Sequence, residues 1–167
     1  MNGVLINLVQ MLRLRGGPQN LPASWLLMVL LLVAYLAQNL VTGQQLEDPN
    51  AAAKSLLAIC LQVLILTGLL VWRRHLERFA QTMSALATVG IFFNFITWTL
   101  LSLSDPTQNQ PILAMVWFAV FIWSLFVDAN IYRHSLSVPF AIGMLVTVLI
   151  LASSYVLIEI LFMPGSP

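Results

Sequence analysis

The chain alternates between long apolar stretches and short polar breaks. Five stretches are long enough to cross a bilayer as helices: residues 23–42, 55–72, 79–103 (most apolar from Ala85), 112–127 and 139–163. A helix needs about 20 apolar residues to span roughly 30 Å of hydrocarbon. The fourth stretch is the shortest. It extends through Ala129 to Tyr132 only by holding Asp128 near the interface, where the penalty for a charge falls away. Gly16-Gly17-Pro18 stops any helix before the first span, and polar turns at 43–50 and 104–111 punctuate the next breaks. Pro139 opens the fifth helix, with Ser135 and Ser137 as its capping residues. The pattern therefore predicts an all-α polytopic membrane protein, a bundle of five transmembrane helices forming one domain over 20–163.

Residues 1–15 carry a different periodicity. On a helix, Val4, Leu5, Leu8, Val9, Met11 and Leu12 share one face, while Asn2, Asn7, Gln10 and Arg13 share the other. That predicts a short amphipathic helix lying in the cytoplasmic interface, although Ile6 and Leu14 interrupt its polar face. Arg13 and Arg15 follow the apolar stretch instead of preceding it, so the segment is not expected to be a signal peptide.

Composition sharpens the class. Sixty per cent of the 167 residues are apolar and 8% are charged, against about 25% charged in a soluble domain. Seven basic and six acidic residues cannot cover an 18.6 kDa soluble globule, which excludes a cytosolic enzyme and a secreted domain. No basic patch is dense enough to predict a nucleic-acid partner. Cys60, the lone cysteine, cannot form an intrachain disulfide. His75 and His134 fall at span ends, and no catalytic or phosphate-binding motif occurs. Neither a cofactor nor an enzymatic activity is expected.

The charges also predict orientation. Arg13, Arg15, Arg73, Arg74, Arg78 and Arg133 fall on one side of a five-span map. Lys54 falls on the other, with Glu47, Asp48 and Asp105. Basic residues near span ends are retained in the cytoplasm, so the N-terminus is expected inside and the C-terminus outside. The six arginines form a cytoplasmic surface suited to anionic lipid or an acidic partner.

Polar residues inside the spans are expected to mark packing or a pathway. Gln62 and Asn94 lie mid-span, and the default role of both is hydrogen bonding between helices. Gln38 and Asn39 lie near the outer surface. Glu159 is close enough to the end of the fifth span to anchor it there. Asp128 is expected to pair with Arg74 or Arg78 at the cytoplasmic end. Small residues repeat in the third span (Ala80, Ser84, Ala87) and the fifth (Gly143, Thr147, Ser154), which predicts close packing and a central place in the bundle for both helices. The tryptophans mostly fall near predicted span ends, as an interfacial belt would.

Two segments resemble a known family. The turn Trp72-Arg73-Arg74-His75-Leu76-Glu77-Arg78-Phe79-Ala80-Gln81-Thr82 is one. The other is Val116-Trp117-Phe118, with His134-Ser135-Leu136-Ser137 after that span. Both are similar to the bacterial branch of the Yip family, integral membrane proteins whose eukaryotic members interact with Rab GTPases. The resemblance covers about residues 20–163. It implies five spans with a cytoplasmic N-terminus in a bacterial inner membrane, and no GTPase partner is expected. The function expected from charge and topology is a non-enzymatic scaffold or accessory subunit, binding lipid, other membrane proteins or its own copies. The alternative is a subunit of a transporter or channel for a small solute, proton or lipid. A continuous polar cavity reaching Asn94 separates the alternative from the scaffold.

Overall fold

The computed structural model describes residues 2–46, 48–104 and 110–162, the side chains of residues 2–5 excepted. Glu47, Asp105 and the chain beyond Phe162 lie outside them. All described elements are helices: α1 (Asn2–Leu12), α2 (Trp25–Gln45), α3 (Ala51–Trp72), α4 (Phe79–Leu103), α5 (Pro111–Leu136) and α6 (Phe140–Phe162), with short 3₁₀ turns at Pro18–Asn20 and Leu76–Arg78. From α2 to α6, each helix is long and apolar enough to cross a membrane. The chain is an all-α, multi-pass membrane protein.

Local signals explain most boundaries. The Ser24 hydroxyl accepts from the Leu27 N–H at the start of α2, and Pro111 occupies the first turn of α5. The fourth span departs from expectation. Instead of fading near 127 it continues to Leu136, and Asp128 lies eight residues before its end, about 12 Å inside at 1.5 Å per residue. The helix continues because this carboxylate faces the bundle interior and not lipid. Ser135 and Ser137 also serve otherwise than expected. Ser135 is buried and donates to Ile131 O, while Ser137 (φ 53°) closes α5 in the left-handed region, so both belong to α5 and do not cap α6.

The five long helices close into a ring in the order α2–α4–α5–α6–α3 and back to α2. α4 is the most buried, continuously so from Thr82 to Val89, between α2 and α5. α6, expected at the centre, instead takes a place in the ring between α5 and α3. Gly143 and Thr147 are buried, and a Cβ at Gly143 would collide with the Ala129 carbonyl. One end of the ring carries the turns around Arg73–Arg78 and Arg133, and the other carries Lys54. They are termed here the arginine end and the lysine end.

The N-terminal strap, α1 and the following turn, packs on α4 and α5. Met11 and Leu21 are buried, Leu8 and Leu12 pack against the core, and Val9 faces outward with Ile6. Trp123 stands at mid-helix in α5 and not at a span end. It packs edge-on to Phe92 and Phe93 and donates its indole N–H to Leu12 O.

Candidate functional site

Ser124, Asp128 and Tyr132 repeat every fourth residue and so share one face of α5. Gly90 and Asn94 do the same on α4. With Tyr35 on α2 and Gln62 on α3, these faces enclose a chamber of about 240 Å³ between four helices. Ser124, Asp128, Tyr35, Gln62, Asn94 and Thr97 supply its polar wall, while Leu32, Ile59, Leu86, Val89 and Phe93 supply much of the rest. Gly90 makes the geometry possible, since a Cβ there would lie 2.8 Å from the Tyr35 ring.

Asp128 is the one acidic residue in this lining, which holds no Lys, Arg or His. Its expected ion pair with Arg74 or Arg78 is not formed: among the described residues the ion pairs are Lys54–Asp48 and those of Glu77 with His75 and Arg78. The arginines are drawn elsewhere. Arg78 Nη1 donates to the carbonyls of His134 (3.3 Å) and Ser135 (3.4 Å) and to Ser137 Oγ (2.8 Å). Arg73 donates to the carbonyls of Leu136 (3.2 Å) and Ser137 (3.3 Å). The last carbonyls of a helix lack intrahelical partners and carry its negative dipole end, so cations gather there. Asp128, two turns further in, is left facing the chamber.

The two mid-span amides behave differently. Gln62 Nε2 donates to Tyr132 Oη at 3.1 Å and ties α3 to α5, a bond worth about 1 kcal/mol between helices in lipid. Asn94 ties nothing, because its Nδ2 is buried without an acceptor among the described residues.

A second cavity, of about 190 Å³, shares Tyr35, Ile59 and Gln62 with the chamber and leads to Asn39, Lys54 and Ser55 at the lysine end. There Lys54 Nζ meets Asp48 Oδ2 at 2.8 Å. That hydrogen bond, with one from the Asn50 backbone N–H, holds the Asp48 carboxyl below the usual carboxylate range. No residue of the turns at the arginine end lines either cavity, and Leu66 and Leu70, one and two turns beyond Gln62 on α3, are fully buried, as is Ile131 on α5. Asn130 Nδ2 donates to Gly16 O at 2.9 Å and Gln81 Nε2 to Leu21 O at 2.8 Å, which fastens the strap to α5 and α4.

The structure thus brings Gln62, Asn94 and Asp128 to one chamber and leaves Glu159 apart, half-buried on α6. Arg13, Arg15, Arg74 and Arg133 are exposed at or near the arginine end, while Arg73 and Arg78 hold α5. Sequence reasoning missed Tyr35, Thr97, Ser124 and Tyr132. The four-residue spacing Ser124–Asp128–Tyr132 was the available signal.

No family model, curated protein or solved structure matches this chain. Fold and site define a class, a multi-pass helical membrane protein with a polar chamber between its spans.

Proposed function

We propose that this protein binds a small solute in the chamber around Asp128, as a non-enzymatic subunit of a transporter or channel. One observation carries the reading: a polar cavity reaches Asn94 and Asp128, and a second cavity, lined in part by the same Tyr35, Ile59 and Gln62, reaches the lysine end. A scaffold needs no such space, and close packing would fill it with apolar side chains. The arginine distribution supports an arginine end in the cytoplasm and a chamber opening outward, and the Yip-like segments fit a bacterial inner membrane. A subsidiary role in contacting anionic lipid or another membrane protein rests on Arg13, Arg15, Arg74 and Arg133, which are exposed and make no ion pair among the described residues.

Cysteine accessibility tests the main reading. In a Cys60→Ala background, Thr97→Cys and Ile59→Cys are exposed to a membrane-impermeant thiosulfonate from either side. Both should label from the lysine end, faster than Ala85→Cys, which lies fully buried in helix packing. Labelling no faster than at Ala85 would return the protein to the scaffold reading.

A further inference from the structure

Resting on the chamber reading, we propose that the occupant is a small organic cation, a protonated amine with an apolar body that reaches Asp128 from the lysine end. Charge is the first argument. Asp128 is the one acidic group in the chamber lining, no basic side chain lies beside it, and it has no ion pair among the described residues. A carboxylate between membrane helices is costly unless a cation meets it, and here the protein supplies none.

Hydrogen bonding is the second argument. A primary ammonium has three N–H donors to place. Asp128 takes one. Gln62 gives its Nε2 to Tyr132, which leaves its carbonyl oxygen as an acceptor. Ser124 gives its hydroxyl proton to Phe121 O, which leaves its lone pairs in the same position.

Shape is the third. Beyond these groups the wall is aliphatic and aromatic, with Phe93 and the Tyr35 ring among its members. Hard metal cations are held by six or more converging oxygens at short range. This chamber of about 240 Å³ offers one carboxylate, and no three His, Cys, Asp or Glu gather anywhere among the described residues. An alkyl or aryl body suits it. The mouth is passable to a cation because Lys54, the basic residue there, is neutralised by Asp48.

The test is calorimetric titration of the full chain, purified in mild detergent at neutral pH, with benzylamine hydrochloride, benzyl alcohol and sodium benzoate. Benzylammonium should bind, and the alcohol and the benzoate should bind at least tenfold more weakly, a difference of about 1.4 kcal/mol or more. Asp128→Asn should weaken the amine by about thirtyfold and leave the alcohol unchanged. If Asp128→Asn does not fold, the amine–alcohol comparison on the unaltered chain decides. Equal binding of alcohol and amine would overturn the cation and spare the chamber. So would Asp128-dependent proton flux in proteoliposomes without amine binding, in favour of the proton. Absence of binding by all three compounds overturns the cation as well: with Thr97→Cys still labelled the chamber stands, and with labelling also absent both readings fall.

Discussion

Gly143 marks a close approach of α5 and α6, because its missing Cβ leaves room for the Ala129 carbonyl. Adding a methyl must push the helices apart, and Gly143→Ala should destabilise the fold by about 1–3 kcal/mol. Thermal unfolding in detergent would show it. The Asp48–Lys54 pair predicts a pH effect of definite sign. The Asp48 carboxyl is held below its ordinary 3.8, so its contribution is fully present above that value and lost as pH falls through the depressed one. The difference in melting temperature between the native chain and Asp48→Asn should therefore be visible at neutral pH and vanish in strong acid. A difference that grew on acidification would contradict the pairing. Single residues were unevenly legible. Gly143 and Thr147 stood out as small residues at helical spacing and do line a helix contact. The surroundings of Asp128 were not legible, since the pull of the open α5 carbonyls on Arg73 and Arg78 depends on how three chain segments meet.

Among the elements, three helix ends carry a residue in the left-handed region without the usual glycine: Leu14 (φ 59°), Arg74 (φ 59°) and Ser137 (φ 53°). At Arg74 the turn is completed by the His75 N–H donating to Leu70 O. Such a conformation costs a residue with a Cβ roughly 1–2 kcal/mol, so Arg74→Gly should raise stability by about 1 kcal/mol in denaturant titration. The strap yields a second prediction. Asn130 and Gly16 are both buried, and removing the amide strands the Gly16 carbonyl at a cost of about 1–3 kcal/mol. Asn130→Ala should loosen the strap, and limited trypsin digestion should cut faster after the exposed Arg13 and Arg15. Unchanged cleavage would mean that the bond does not hold the segment. The existence of five spans was plain from hydropathy, and α4 falls on the predicted 79–103. The length of α5 was obscured because an apolar count penalises Asp128 whichever way it faces.

At the scale of the whole molecule, the five spans close a circle, and a cavity at the lysine end shares three residues with its chamber. Towards the arginine end Leu66 and Leu70 of α3 are fully buried, so passage of a solute that way through one copy requires their packing to open. The order of the ring was beyond the sequence, because apolar faces turned to lipid and to protein look alike in lipid-soluble helices. The strap has a consequence for how the protein is made. Its anchors lie far along the chain: Trp123 is 111 residues from Leu12, and Asn130 is 114 from Gly16. Contacts between such distant segments form slowly because a long loop must close first. The strap, which precedes α5 in the chain, cannot complete its docking until α5 has been inserted. Anything that captures α1 meanwhile, a chaperone or a bulky fused tag, would leave the five spans inserted with the strap still off α5.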